Sequence, residues 1–372
     1  MLVNGKPHRT IWLSDVMPVQ VQVIDQRHLP HRLVYATIPD VETAAIAIKD
    51  MWVRGAPLIG ATAAWGMYLA AASIPARCDM KFWFEEAYSL LLKARPTAVN
   101  LKWALDLMLN TLQASSDPDE AKLTAMRMAK EITEADVRTN AAIGEHGYGL
   151  LKEMYERLRR PINILTHCNA GWLATVDWGT ATAPIYKAAA AGIPLHVWVD
   201  ETRPRNQGAA LTAWELQQMD IPHTLVVDNA GGRLMQEGKV DVLITGTDRV
   251  DNNGNVCNKI GTYLKALAAA DNNIPFFVAL PSSTIDWRIS DGLKDIPVEY
   301  RDEAEVLTVA GSWKEQSIEV SIAPQGTRAA NPAFDITPAK YVTGFITEAG
   351  ICEASRKGLL QLFPDRHRLI QD

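Results

Sequence analysis

The sequence has little cysteine, no excess of positive charge and no recognisable secretion segment. Its four cysteines lie far apart and form no C-x-x-C pair, which excludes a disulfide scaffold and a thiolate zinc site. With 37 basic and 43 acidic residues, the net charge of −6 argues against binding to nucleic acid or to an anionic membrane. The N-terminus lacks the apolar core of a signal peptide. We therefore expect a cytoplasmic protein with no nucleic-acid or membrane partner.

Charge is also absent from Gly55 to Ala76, a run long enough in principle to span a bilayer. Most of its residues are alanine or other small residues, which favours a buried helix of a globular domain. Common ligand motifs are missing as well. Residues 231–240 lack the spacing of a P-loop, residues 251–262 lack the glycine and glutamate of a calcium loop, and no H-E-x-x-H occurs. We expect no cofactor and no metal.

The chain of 372 residues, 48% of them hydrophobic, is long enough for about two domains. The pattern predicts a mostly helical domain over residues 1–145, after a short β start at 20–25 and 32–38. In this domain Asp40 is the expected cap of a helix, and residues 115–120 are an expected loop. From Pro161 onward, five short apolar runs alternate with helical stretches. This alternation predicts an α/β fold, with a Rossmann-like, doubly wound parallel-sheet domain over residues 146–372.

Ligands of open parallel sheets bind beyond the carboxyl ends of the strands, where four runs finish on Cys168, Asp200, Asp228 and Asp248. Cys168, in THCNAG, is either a reactive thiol at a strand-to-helix turn or a buried small hydrophobe. Asp248, in GTDRV, is either an acid in apolar surroundings or a helix cap or salt-bridge partner. His167 points to the face opposite Cys168, and we interpret it as structural.

Cationic and amide side chains stand before several predicted helices. Arg54 precedes the Gly–Pro turn of RGAPLIG, Arg95 lies in ARPTAVN, and Gln207 in RPRNQGAAL is a candidate reader of hydroxyl groups. Asn258 and Lys259 open a helix whose first amides, with the ammonium group, are suited to a phosphate. Each has a simpler alternative, since an arginine can pair with a carboxylate and a helix start can be solvated.

Taken together, these segments resemble the methylthioribose-1-phosphate isomerases of methionine salvage. The resemblance runs from VRGAPLIG through ARPTAVNL, THCNAG, DETRPRNQGAALTAWEL, GTDRV and NKIGTY to NPAFDITP. The wider superfamily includes ribose-1,5-bisphosphate isomerases and the regulatory subunits of the eukaryotic initiation nucleotide-exchange factor. The resemblance implies a homodimeric enzyme that converts an aldose 1-phosphate to a ketose 1-phosphate. It assigns Cys168 and Asp248 as the catalytic pair. It assigns substrate binding to Arg54, Gly55, Ala56, Arg95, Gln207, Asn258 and Lys259.

The phosphate on the anomeric carbon of such a substrate prevents ring opening to a free aldehyde. Asp248 would protonate the ring oxygen, and it needs dry surroundings or a nearby phosphate to hold that proton at neutral pH. Cys168 would move the C2 proton to C1 or assist a hydride shift. Two alternatives remain open. The first is an isomerase of 5-deoxyribose 1-phosphate or ribose 1,5-bisphosphate, and the second is a non-catalytic subunit that senses a sugar phosphate.

Overall fold

The computed structural model describes residues 1–14, 20–96, 98–314 and 316–369. Its N-terminal part begins with short antiparallel strands and continues as five helices. The predicted cap is confirmed, because the Asp40 carboxylate accepts a hydrogen bond from the Thr43 amide at 2.7 Å and starts the first helix. The strands are β1 Leu2–Val3, β2 Lys6–Pro7, β3 Ile11–Leu13, β4 Val21–Ile24 and β5 Tyr35–Ile38. The helices are α1 Val41–Lys49, α2 Ala56–Ala72, α3 Met80–Ala94, α4 Val99–Leu112 and α5 Pro118–Leu158.

Helix α2 is the centre of the N-terminal domain. It forms most of the uncharged run, and 13 of its 17 residues are buried, as the alanine-rich sequence predicts. Small side chains let the neighbouring helices approach closely, so α1, α3, α4 and the first part of α5 surround it in one apolar core. In the described residues, no helix is both long and apolar enough to cross a membrane.

Helix α5 connects two of the three apolar cores in the described part of the chain. Ala125 and Ile132 of its first part pack into the N-terminal core, whereas Ile143 and Leu151 pack against the main sheet. The predicted domain boundary after residue 145 lies inside this helix and stays a prediction. The predicted loop at 115–120 is too long, because the Asp117 carboxylate caps α5 and residues 118–120 already belong to the helix.

The second part of the chain forms a seven-stranded sheet of the predicted type. Its strands, in the order β18-β17-β12-β9-β6-β7-β8, are all parallel except the antiparallel edge strand β18. The chain starts in the middle at β6, winds outward through β7 and β8, and then crosses back to β9, β12 and β17. This is the classic doubly wound order, and its topological switch point lies between β6 and β9. The strands are β6 Ile162–Thr166, β7 Leu195–Asp200, β8 His223–Val226, β9 Val242–Thr245, β12 Phe276–Ala279, β17 Gly344–Thr347 and β18 Gly350–Cys352.

The second part of the chain also contains strands outside this sheet, which the sequence pattern does not predict. A smaller four-stranded sheet stands beside the carboxyl ends of the main strands, and a separate hairpin is formed by β14 and β15. The smaller sheet comprises β10 Arg249–Asp251, β11 Val256–Lys259, β13 Ile285–Asp286 and β16 Phe334–Thr337, and the hairpin comprises β14 Thr308–Trp313 and β15 Gln316–Ser321. The helices of this part are α6 Ala183–Ala190, α7 Ala213–Gln218, α8 Ala230–Gln236, α9 Thr262–Asp271, α10 Gly292–Asp295, α11 Ala304–Leu307 and α12 Arg356–Leu362.

Asp136 of α5 makes the stability of the fold depend on pH. Burial raises the pKa of its carboxyl group from the ordinary 3.8 to about 7, although the Val176 amide and the Asn140 side chain both donate to it. The folded state therefore binds this proton more tightly than the unfolded state. Its stabilising contribution is complete below about pH 4 and is lost as the pH rises through 7.

We expect the Asp136→Asn variant to gain stability relative to the native chain as the pH rises. Urea unfolding at pH 5 and pH 8 should give a difference between the two chains that grows by about 2 kcal/mol in favour of the variant. Asp119→Asn, at an exposed position of the same helix, is the matched control and should show no such change. A pH-independent difference would contradict the assignment.

Candidate active site

Cys168 lies two residues beyond the end of strand β6, with its backbone in the left-handed region at φ 68°. Two threonine hydroxyls hold this conformation. The Cys168 amide donates to Thr202 Oγ1 at 2.8 Å, and Thr212 Oγ1 donates to the Cys168 carbonyl at 2.7 Å. A left-handed conformation is costly for a residue with a side chain, and such conformations cluster at functional sites. Contacts with other segments of the fold therefore fix the position of the thiol, against the backbone preference of Cys168 itself.

Asp248 lies in the turn that follows β9, the neighbour of β6 across the switch point. The Asp248 amide donates to the Cys257 carbonyl at 3.0 Å, and the Thr247 hydroxyl donates to the same carbonyl at 2.8 Å. These bonds attach the turn to the smaller sheet. Asp248 is half-buried, and its neighbours include cations. The sequence allowed an acid in apolar surroundings at this position, and the structure does not show such surroundings.

One cavity brings the predicted catalytic pair together. Cys168 and Asp248 both line it, as do Arg54, Gly55, Ala56 and Asn258. Its volume is about 30 Å³, which is room for very few water molecules. Six of the nine residues singled out in the sequence therefore meet at one small, enclosed site.

The N-terminus of α2 forms one wall of this cavity. Gly55 occupies the cap position at φ 95°, and no side chain caps the helix. A β-carbon at this position would lie 2.4 Å from the Ala174 carbonyl oxygen, so only glycine fits. Free amides at a helix N-terminus attract anions. Arg54 lies beside them, donating to the Asn169 side-chain oxygen at 2.5 Å and to the Asn169 carbonyl at 2.8 Å.

Lys259 and Arg95 add positive charge behind the cavity without lining it. Burial lowers the pKa of both groups, and the negative charge of Asp248 opposes that shift in each case. Arg95 also faces Glu299, with a nitrogen–oxygen distance of 3.8 Å. Burial raises the pKa of the Cys168 thiol, whereas Arg54 and Lys259 lower it. The resting site thus holds a buried thiol and a carboxylate among three cations.

Gln207 lies in a second, larger cavity of about 460 Å³. This cavity shares Arg54 with the small one and is bounded by the segment 26–31, the segment 204–211 and the β14–β15 hairpin. Gln207 precedes a short π-helical segment, Gly208–Thr212, in agreement with the predicted helix start at this position. Arg54 therefore connects the two spaces, and Gln207 does not line the cavity that holds Cys168 and Asp248.

The helix start at Asn258 and Lys259 differs from the sequence prediction. The first amides of α9 are occupied, because the Asp335 carboxylate accepts from the Gly261 amide at 2.7 Å and from the Tyr263 amide at 3.1 Å. An anion already sits at this helix end, so a phosphate would meet a like charge there. Lys259 itself precedes α9 in strand β11, and its ammonium group lies 4.8 Å from the centre of the Phe334 ring.

Glu215 is a buried carboxylate that the sequence analysis missed. It accepts hydrogen bonds from the Asn169 side chain, from the Trp172 and Leu173 amides and from the Tyr186 hydroxyl, at 2.7–3.1 Å. These bonds fix the turn after Cys168, and through Asn169 they fix Arg54. The segment NQGAALTAWEL contains Glu215, but only the fold reveals that it faces the Cys168 turn.

Comparison with known proteins identifies the family. Residues 52–354 match the Initiation factor 2 subunit family. The methylthioribose-1-phosphate isomerase of Paramagnetospirillum magneticum is 56% identical over 98% of this chain and its own full length. The corresponding isomerase of Cereibacter sphaeroides is 55% identical over 99% of both chains. The chain belongs to the Initiation factor 2 subunit family and, within it, to the methylthioribose-1-phosphate isomerases.

Solved structures agree with this assignment and with the predicted fold. The 5-methylthioribose 1-phosphate isomerase of Pyrococcus horikoshii OT3 has a TM-score of 0.84 and 41% identity, covering 97% of both chains. A structure described as the delta subunit of translation initiation factor eIF-2B, from A. fulgidus, has a TM-score of 0.79 and 37% identity, covering 96% of this chain and all of that one. The fold is thus shared by proteins with enzyme names and proteins with regulatory names.

We expect Glu215→Gln to weaken both the fold and the site. The amide group would present N–H donors where the carboxylate now accepts from four donors, which should cost about 2 kcal/mol of unfolding free energy. Because Arg54 depends on this turn, phosphate binding should weaken as well. Urea unfolding and titration with inorganic phosphate measure the two effects. Glu237→Gln, in a surface ion pair, is the control, and equal behaviour of the two variants would contradict the role of Glu215.

Proposed function

We propose that this chain isomerises 5-methylthioribose 1-phosphate to 5-methylthioribulose 1-phosphate, with Cys168 and Asp248 as its catalytic residues. The observation that carries the proposal is their meeting in one enclosed cavity beside an anion site, at the switch point of the sheet. The relatives that are more than half identical over nearly the whole chain support the same reaction.

The substrate phosphate would bind at the N-terminus of α2. Arg54 and the free amides of Gly55 and Ala56 provide charge-assisted hydrogen bonds there, while Lys259 and Arg95 supply further positive potential. The small cavity cannot hold a whole pentose phosphate. The sugar would therefore extend past Arg54 into the larger cavity, where Gln207 is placed to bind a hydroxyl group.

Asp248 would protonate the ring oxygen, so that the bond between this oxygen and C1 breaks without a free aldehyde. Its neighbours at rest include the buried cations Arg95 and Lys259. A bound phosphate would bring negative charge to the same place. Cys168 would then act at C1 and C2, where its thiol is shielded from water by burial.

The larger cavity suits an uncharged 5-substituent better than a second phosphate. Two of its arginines are already neutralised, since Arg27 contacts the Asp25 carboxylate and Arg205 contacts Glu305, both at 2.7 Å. Apolar side chains, among them Leu29 and Met51, line the same space. A second phosphate would have to break an existing ion pair. This favours a methylthio group over the 5-phosphate of ribose 1,5-bisphosphate.

We expect the purified protein to form a ketose phosphate from 5-methylthioribose 1-phosphate and to convert ribose 1,5-bisphosphate far more slowly. Cys168→Ser and Asp248→Asn should each lose at least about a hundredfold in kcat while remaining folded. Cys352→Ser, in edge strand β18, and the exposed Asp295→Asn are the matched controls. Binding of the sugar phosphate without turnover by the native chain would instead support a sensing subunit.

Reaction in deuterium oxide separates the two routes by which Cys168 could act. Proton transfer through a phosphoenolate-type intermediate places solvent deuterium at C1 of the ketose, whereas a hydride shift carries the original C2 hydrogen there. Mass spectrometry of the product measures the difference. Either outcome leaves the assignment of the reaction unchanged and fixes what Cys168 does in it.

The assembly and the location of the protein are also proposals. A homodimer follows from the resemblance to the isomerases, and the absence of a spanning helix in the described part of the chain is consistent with a location in the cytoplasm. Sedimentation analysis of the purified chain would give the oligomeric state directly.

A further inference from the structure

His167 is buried behind Cys168 and has a hydrogen-bond acceptor at each of its ring nitrogens. Nδ1 lies 2.9 Å from Asp200 Oδ2, and Nε2 lies 2.8 Å from the Ile260 carbonyl oxygen. The ring is completely buried. The ring therefore contacts the end of β7 on one side and the turn between β11 and α9 on the other.

Lys265 makes a second contact to the same carboxylate. Its ammonium group lies 3.1 Å from Asp200 Oδ2, the oxygen that faces Nδ1. A carbonyl group cannot donate a hydrogen bond, so the ring donates to Ile260 from Nε2.

The other charged groups around the ring are consistent with this arrangement. Asp228 comes within 3.9 Å of Nδ1, and its carboxylate accepts from the Thr202 and Arg203 amides. Asp335 contributes negative charge from β16. His167, Asp200 and Asp228 have the spacing of metal ligands, but the Lys265 ammonium group already contacts Asp200 and the Asp228 carbonyl. The ammonium group of Lys265 is therefore the buried cation that faces these carboxylates.

The position of His167 gives its ring a function at the site. The residue precedes Cys168 at the end of β6, and its Nε2–H holds the carbonyl of Ile260, the residue after Lys259. Gly261 turns at φ 105°, where a β-carbon would come within 3.0 Å of the imidazole ring. The ring thereby connects the strand that carries Cys168 to the turn that follows Asn258 and Lys259.

We propose that His167 is a positioning residue, whose Nε2–H bond to Ile260 fixes Lys259 and Asn258 relative to Cys168. This inference depends on the proposed isomerase function. A native chain without isomerase activity would contradict the proposed function, whereas the comparison of variants with an active native chain tests His167 alone.

Two substitutions separate the hydrogen bonds of His167. A glutamine amide can replace the Nε2–H donor to Ile260, whereas an asparagine amide can replace only the contact of Nδ1 with Asp200. We expect His167→Gln to keep kcat within about threefold, and His167→Asn to lose about ten- to a hundredfold. His196→Asn and His196→Gln, on neighbouring β7, are the matched controls. Equal losses of kcat in both His167 variants, measured below their unfolding temperatures, would overturn the positioning role. Should His167→Asn fail to fold, a loss of kcat of more than tenfold in folded His167→Gln would overturn it as well.

Discussion

The site depends on the left-handed backbone of Cys168 and on the two threonine hydroxyls that hold it. Thr202 and Thr212 come from the segment after β7, so the conformation exists only when β6 and β7 are paired. A left-handed residue with a side chain costs of order 1–3 kcal/mol, which the surrounding hydrogen bonds must offset. The same turn carries Asn169, and Asn169 positions Arg54 from the other domain. One local backbone conformation thus links the thiol to the anion site.

The strand order explains why the thiol and the carboxylate meet. β6 and β9 are neighbours in the sheet although about eighty residues separate them, because the chain first winds outward through β7 and β8. The turns that follow β6 and β9 diverge to opposite sides of the sheet and leave a crevice at the switch point. The helical domain closes this crevice with the start of α2, which is why the cavity is small and why both domains contribute to it.

Local sequence patterns predicted those secondary-structure elements that interactions between neighbouring residues determine. Alternation of apolar runs and helices predicted the strands of the main sheet, and Asp40 predicted the start of α1. The residues after two strands included Cys168 and Asp248, which line one cavity. Contacts between segments that are distant in the sequence could not be predicted from such local patterns. Glu215, Asp335 and the partners of His167 satisfy amides or ring nitrogens that lie more than thirty residues away along the chain.

Asp335 shows how such a contact changes the interpretation of a motif. In the sequence, the start of α9 looked suited to a phosphate because free amides and a lysine stood together. In the fold, Asp335 satisfies those amides from β16, and the free helix start is that of α2. The phosphate site that we propose therefore lies on the Arg54 side of the cavity, where Lys259 would contribute its charge. Two helix starts of similar sequence character therefore differ in function, because a distant carboxylate has occupied one of them.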